Sequence, residues 1–225
     1  ADANTSVGYE SMNANTTGSS NTAVGAYALD ANTTASNNTA IGYNALTANT
    51  GAENTALGAS ALGTNTTGAG NVAVGVNALL VNTTGSNNIA VGEFALDANT
   101  TGDDNTAFGY AALGANTTGV KNVGIGNSAL KANTTGDYNV AIGWGALDAT
   151  TTADGSVAIG YDAMGNNTAG GNVAIGRNAL ASVTTGSSHV AVGYQAAKDL
   201  ATDRSWVTAV GYQAMAQATT GQSNT

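Results

Sequence analysis

The sequence predicts an all-β fold, a parallel β-solenoid with one coil for each sequence repeat. A Gly that closes a V-G, I-G, L-G or F-G pair recurs every 17 residues, with two steps of 16 and a last step of 18. Each of these glycines follows a short run rich in β-branched residues, and an N-T-T-G link commonly separates one run from the next. Because the repeat fills residues 1–225, we expect a single domain of about thirteen coils.

The Gly column sets the register of the repeat. Its members are Gly8, Gly25, Gly42, Gly58, Gly75, Gly92, Gly109, Gly126, Gly143, Gly160, Gly176, Gly193 and Gly211. Counted through this Gly, the repeat reads N-[TV]-A-[VI]-G-x-x-A-L-x-A-N-T-T-G-x-x. The chain begins and ends inside a repeat, from which we expect a fragment of a longer fibre. The long last step predicts an enlarged loop between repeats at residues 198–206.

The run before each Gly predicts a short strand, since its residues alternate with period two. We expect its two larger residues, such as Val72 and Val74, to point together into the coil interior. A Leu column four positions after the Gly is expected to fill the same interior from the opposite wall. Its members are Leu29, Leu46, Leu62, Leu79, Leu96, Leu113, Leu130, Leu147 and Leu180.

The position two before the Gly is always small. By alternation from the larger residues, we expect this column to face away from the coil interior. A column that faced solvent would not need to stay small, so we interpret it as a surface packed closely against other chains, most simply in a three-chain bundle. The candidate packing residues are Ala23, Ala40, Ala56, Ala73, Ala90, Ala107, Ala141, Ala158, Ala174, Ala191 and Ala209.

Composition excludes several classes of function. Only five Lys and Arg stand against 14 Asp and Glu, a formal net charge of -9, so no cationic surface for nucleic acid is expected. The chain has no Cys, which removes disulfides and thiolate metal sites, and no apolar run long enough to insert into a membrane. No catalytic triad order, phosphate-binding Gly loop or metal-ligand cluster is present, so we expect no enzymatic activity, cofactor or metal.

Asparagine forms two further columns, four before and seven after the Gly. We interpret them as side-chain amide ladders that satisfy backbone groups in the turns, with His189 as a substitute in the first column. The paired threonines of the links give regular hydroxyl rows, which leaves ice binding open as an alternative function.

The position after the Gly is often aromatic. Such a row either packs between coils or across chains, or recognises a sugar or partner surface. The candidate recognition residues are Tyr9, Tyr43, Tyr110, Trp144, Tyr161, Tyr194 and Tyr212.

The motifs N-[TV]-A-[VI]-G-x-x-A-L and N-T-T-G resemble the head repeats of trimeric autotransporter adhesins. They are also similar to repeats of phage tail-fibre and bacterial surface proteins that often precede an endosialidase-type intramolecular chaperone domain. The resemblance covers the whole chain and implies a left-handed β-roll that assembles as a homotrimer.

We therefore expect an extracellular structural or adhesive fibre segment, part of an adhesin or of a phage tail fibre. It would space or display a region that binds a cell-surface glycan or protein receptor. The alternative is a solenoid that binds ice or glycans through its Thr, Asn or aromatic ladders.

Overall fold

The computed structural model describes residues 2–200 and 206–217. In this part of the chain the regular elements are thirteen three-residue β-strands, and there is no helix. The residues group into two compact units, Ala1–Thr118 and Gly119–Thr225. Both units are parallel β-solenoids, with about twelve coils in total. The enlarged loop expected at 198–206 falls partly outside the described residues.

The first unit contains seven strands. They are β1 (Thr5–Val7), β2 (Thr22–Val24), β3 (Thr39–Ile41), β4 (Thr55–Leu57), β5 (Val72–Val74), β6 (Ile89–Val91) and β7 (Thr106–Phe108). The second unit contains six strands, β8 (Val123–Ile125), β9 (Val140–Ile142), β10 (Val157–Ile159), β11 (Val173–Ile175), β12 (Val190–Val192) and β13 (Thr208–Val210).

Within each unit every strand pairs in parallel with the strand of the next coil, and equivalent repeat positions face one another. Ala23 of β2 pairs with Ala40 of β3, and Ala158 of β10 pairs with Ala174 of β11. Outside the strands the coils are joined in the same way, as when the Leu79 N–H donates to the Ala95 carbonyl, 3.0 Å away. The predicted strands and their one-coil register are confirmed.

The coil interior is narrow. In a regular coil it holds the Ala before the Gly, an Ala and a Leu after it, and two Asn. In the coil of Gly75 these are Ala73, Ala78, Leu79, Asn71 and Asn82, all fully buried. The nine leucines of the predicted column are fully buried, as expected.

The predicted orientation of the strands was wrong. The Ala column is at most 2% exposed within a single chain, so these side chains lie in the coil interior and cannot contact another chain. This applies to Ala23, Ala40, Ala56, Ala73, Ala90, Ala107, Ala141, Ala158, Ala174, Ala191 and Ala209. Since Leu and two carboxamides from the rest of the coil already fill the interior, the inward strand position has room only for a small residue.

The backbone conformation explains why the same position of every coil is Gly. All thirteen glycines have φ between 126° and 142°, a region almost closed to residues with a Cβ. A Cβ on Gly92 would also lie 2.5 Å from the Gly109 carbonyl oxygen of the next coil. Both the dihedral angle and the close stacking of coils therefore require glycine at this position.

The buried leucines carry backbone strain that the sequence pattern does not indicate. Their φ values lie between 51° and 53°, in the left-handed region. This conformation costs an L-residue about 1–2 kcal/mol. Full burial of a Leu side chain contributes about 1.5–3 kcal/mol, which offsets the strain. The coil therefore needs a large apolar side chain here, although the backbone would favour Gly or Asn.

Replacing a glycine of the main column should disrupt the stack. We expect Gly92→Ala to lower the free energy of unfolding by about 2–4 kcal/mol, measured by chemical denaturation, because the new Cβ meets the next backbone and the φ is unfavourable. The matched control is Gly155→Asn, at a position where a Cβ would have nothing within 4 Å and where other coils have Asn37 and Asn87. The control should lose less than half as much, and equal losses would contradict this account.

Candidate functional site

The strands present two columns of larger side chains to the outside. They are the first and third residues of each strand, and together they form the outward sheet face of each unit. The first column is Thr5, Thr22, Thr39, Thr55, Val72, Ile89 and Thr106 in the first unit and Val123, Val140, Val157, Val173, Val190 and Thr208 in the second. The second column is Val7, Val24, Ile41, Leu57, Val74, Val91 and Phe108, then Ile125, Ile142, Ile159, Ile175, Val192 and Val210.

This face is apolar and accessible. Leu57 and Phe108 are each 46% exposed, and Ile125 and Ile175 are 39% and 38% exposed. Single exposed apolar residues are ordinary on protein surfaces, but a contiguous apolar face commonly marks an interaction site. In the second unit the face is almost wholly Val and Ile, whereas the first unit has Thr at most positions of the first column.

The first Asn column forms a continuous hydrogen-bonded ladder. The Asn88 N–H donates to Asn71 Oδ1 at 2.9 Å, and the Asn105 N–H donates to Asn88 Oδ1 at 3.0 Å. Asn88 Nδ2 also donates to the Gly102 carbonyl of its own coil at 2.8 Å. The backbone N–H of each such Asn therefore bonds to the preceding coil. Its side chain bonds to the following coil and to the link of its own coil.

The second Asn column forms a ladder of side-chain amides. Asn82 Nδ2 donates to Asn65 Oδ1 at 2.7 Å, and Asn99 Nδ2 donates to Asn82 Oδ1 at 2.9 Å. Asn82 Nδ2 also reaches the Gly85 carbonyl at 2.8 Å, which accepts from Asn71 Nδ2 as well. The interpretation of the Asn columns as structural ladders is confirmed, and the asparagines of the N-T-T links are buried, apart from the partly exposed Asn15.

The shortened steps remove hydrogen bonds from the second ladder and from the links, although the first ladder continues, with the Asn54 N–H donating to Asn38 Oδ1 at 3.0 Å. In the step from Gly42 to Gly58, Asn49 Nδ2 turns to the Gly51 carbonyl at 2.7 Å, and no bond from it to Asn32 Oδ1 is formed. Asn32 Oδ1 and Asn38 Nδ2 are buried without a hydrogen-bond partner near this step. In the second shortened step, Asn167 Nδ2 also lacks a partner, because the preceding coil has Thr150 where the ladder would supply an amide acceptor. Losing one link residue thus costs ladder bonds.

His189 takes the place of an Asn in the first column, as predicted. Its N–H donates to Asn172 Oδ1 at 2.9 Å, and its Nδ1 accepts from the Val207 N–H at 3.4 Å. The ring is 1% exposed. This histidine is a ladder residue placed away from the surface.

The first Thr of each link is also structural. Its hydroxyl donates to the backbone carbonyl of the equivalent Thr in the next coil, at 2.7 Å from Thr66 to Thr83 and at 3.0 Å from Thr100 to Thr117. The second Thr of the pair points outward, and Thr67, Thr84 and Thr101 are exposed. Both rows reach the surface, but the hydroxyls of the first row, such as those of Thr66 and Thr100, are already bonded to the next coil.

The aromatic column lies on the surface beside the outward sheet face. The seven candidate recognition residues are exposed by 36% to 74% of their surface, the lowest being Tyr194 and the highest Tyr212. They are Tyr9, Tyr43, Tyr110, Trp144, Tyr161, Tyr194 and Tyr212. Their outward position agrees with a recognition role but does not establish one.

In the second unit the aromatic rings cover one another. Trp144 and Tyr161 stack with centroids 5.0 Å apart at 11°, and Tyr194 and Tyr212 stack at 5.3 Å and 12°. The Arg177 guanidinium lies 5.4 Å from the Tyr161 ring centroid. Packing between coils therefore occupies ring faces that a sugar would need for stacking.

Two carboxylates have a shifted pKa. Burial, followed by the charge of Asp162, raises the pKa of Asp148, and burial raises the pKa of Asp97. A raised folded-state pKa means that these groups favour folding when protonated, and that this contribution is lost as the pH rises through that pKa. Among residues 2–200 and 206–217, no three His, Cys, Asp or Glu side chains come together as metal ligands. No helix there is long and apolar enough to cross a membrane.

Sequence reasoning missed the outward sheet face because a period of two does not say which side points inward. Variation within the columns was the usable signal. The strand-end position accepts residues as different as Val24 and Phe108, and the strand-start position accepts both Thr55 and Val72. Such tolerance indicates a surface, whereas the uniform Ala between them indicates a confined interior.

Comparison with known proteins adds no family to this description. No family model matches the chain, and no curated protein matches it.

The interrupted ladder at Thr150 offers a test of the amide bonds. Thr150 stands in the second Asn column, one coil before Asn167, and its hydroxyl donates to the Asn167 carbonyl at 2.6 Å. We expect Thr150→Asn to raise the free energy of unfolding by about 1 kcal/mol, because the new amide oxygen supplies an acceptor for Asn167 Nδ2. Thr150→Val, which has the same shape without a polar atom, should be destabilising. A Thr150→Asn variant no more stable than Thr150→Val would contradict the ladder account.

Proposed function

We propose that this chain is a non-enzymatic structural segment of an extracellular fibre, an adhesin or a phage tail fibre, that assembles as a homotrimer. Its role is to space or display a region that binds a glycan or protein receptor on a cell surface. The observation that carries the proposal is the outward sheet face, whose second column is apolar in every coil of both units.

The periodicity of this face favours another copy of the same chain as its occupant. Each coil presents one residue of either column, and neighbouring strands of a sheet lie about 4.8 Å apart. A second solenoid carries apolar columns with the same period, so coil can pack against coil throughout the contact. Copies of one chain also form closed symmetric assemblies most readily.

The number of chains and the hand of the coil come from the resemblance. Repeats similar to N-[TV]-A-[VI]-G-x-x-A-L build the heads of trimeric autotransporter adhesins, which supports three chains and a left-handed roll. In such an arrangement the interface would consist of the outward sheet face, and the Ala column would serve only the interior of each coil.

Charges introduced on the outward sheet face should separate the chains. We expect the unaltered protein to have the molar mass of three chains by light scattering, and Ile142→Lys with Ile175→Lys to give one chain. Both isoleucines are more than a third exposed, 36% and 38%, so the coil itself should stay folded. Burying two lysines in each chain against an apolar partner would cost several kcal/mol per chain.

The matched control is Thr101→Lys, an exposed link position outside that face, which should leave the mass unchanged. Circular dichroism would show that all variants keep their β-structure. An unaltered protein that is monomeric at micromolar concentration would refute the trimer, as would a trimer that both lysines leave intact.

A second candidate function is ice binding by a monomer. It rests on β2, β3, β4 and β7, where Thr and an apolar residue stand side by side on the outward face in regular ranks. Ice binding would use the face that the trimer buries, so the two functions exclude each other. A monomer that produces thermal hysteresis, abolished by Thr39→Lys, would favour this candidate.

A further inference from the structure

Three tyrosines of the first unit form a compact aromatic group on the surface. The Tyr27 ring lies 5.5 Å from that of Tyr9 and 6.1 Å from that of Tyr43, at 82° to each. Tyr9 and Tyr43 are 65% and 56% exposed. Rings at right angles form adjoining walls, in contrast to the parallel stacks of the second unit.

A carboxylate stands beside this group. Glu10 follows Tyr9 in the chain, and its carboxylate raises the pKa of the Tyr9 hydroxyl, first as a hydrogen-bond acceptor and then through its charge. The aromatic walls therefore adjoin a negative charge on the same exposed surface.

The charge of the first unit is one-sided. Residues 1–118 contain eight of the 14 acidic residues and none of the five Lys and Arg. All five cations fall in residues 119–225. A binding surface in the first unit is thus set in a negative field that attracts cations and repels anionic sugars or phosphates.

In the second unit, two aromatic rings contact the cationic side chains of Lys and Arg residues. Lys121 Nζ lies 5.2 Å from the centroid of the Tyr138 ring, and the Arg177 guanidinium lies 5.4 Å from that of Tyr161. Both distances are those of cation–π contacts. The tyrosines of the first unit have no such cation in their own unit.

We propose that Tyr9, Tyr27 and Tyr43, with Glu10, form a binding site for an alkylammonium cation supplied by another molecule. Ring faces at right angles and an adjacent carboxylate are the features that recognise quaternary or methylated ammonium groups. The group is supplied either by the choline headgroup of a lipid or by a methylated lysine of a protein. Because the site is open, a single contact is weak, and useful attachment would come from many copies on one fibre.

The test is an NMR titration of the protein with choline, in which the tyrosine ring signals are monitored. The comparison ligand is 3,3-dimethylbutan-1-ol, which has the shape of choline without its charge. We expect choline to shift the signals of Tyr9, Tyr27 and Tyr43 with a millimolar dissociation constant, and the alcohol to shift them at least several-fold less.

Variants separate the ring faces from general effects. Tyr27→Leu should weaken choline binding about two- to five-fold or more, while Tyr27→Phe, which keeps the ring, should retain it. Glu10→Gln should weaken it as well. Tyr161→Leu is the control, because Arg177 already covers that ring. Equal binding of choline and the alcohol, or equal effects of Tyr27→Leu and Tyr161→Leu, would overturn the proposal.

The two sources are distinguished by phosphatidylcholine vesicles and by a trimethyllysine peptide. Shifts with the vesicles alone assign the site to lipid headgroups, and shifts with the peptide alone assign it to modified protein. Shifts with neither would overturn the proposal.

Discussion

The structure depends on buried amides that are satisfied only when coils stack. Asn88 illustrates the constraint, since its side chain binds both the following coil, through Asn105, and the link of its own coil, through Gly102. A buried amide left without partners costs about 1–3 kcal/mol, so an isolated coil could not hold this interior. The same constraint fixes the register, because a slip by one residue would place an amide opposite a backbone group that it cannot bind.

The amide ladders also explain why the apolar surface lies outside. Two Asn, two Ala and one Leu fill the interior of a regular coil, so the β-branched residues of the strands have no room within it. They lie on the outer side of the parallel sheet, away from the coil interior, and they repeat with every coil. A protein whose interior is partly polar and whose exterior carries a regular apolar face is suited to assembly with copies of itself, which is the basis of the proposed fibre.

Much of this organisation could be predicted from the sequence. The 17-residue period, the strand before each Gly and the buried Leu column all follow from the spacing of a few residue types. The Asn ladders follow from the turn chemistry of Asn, and even His189 could be placed in its column. The inward side of the strand could not be predicted, because alternation gives two faces and the larger, β-branched residues lie on the outward one.

Backbone geometry was also beyond the sequence pattern. Leu79 and its equivalents adopt a left-handed φ that no propensity scale assigns to Leu, and only the packing of neighbouring coils makes it favourable. For the aromatic residues the sequence leaves packing and recognition open, and it does not predict the mutual geometry of the rings. Whether rings stack, as in Trp144 and Tyr161, or stand at right angles, as in Tyr9 and Tyr27, depends on the residues in adjacent coils.

The most direct test of the account is the free energy of unfolding of Asn88→Leu. The substitution makes the interior more apolar, so a core stabilised mainly by hydrophobic burial would gain stability. The ladder account predicts a loss of about 2–4 kcal/mol, since the Asn105 N–H loses its acceptor within the stack. A variant as stable as the unaltered chain, or more stable, would contradict the central role of the buried amides.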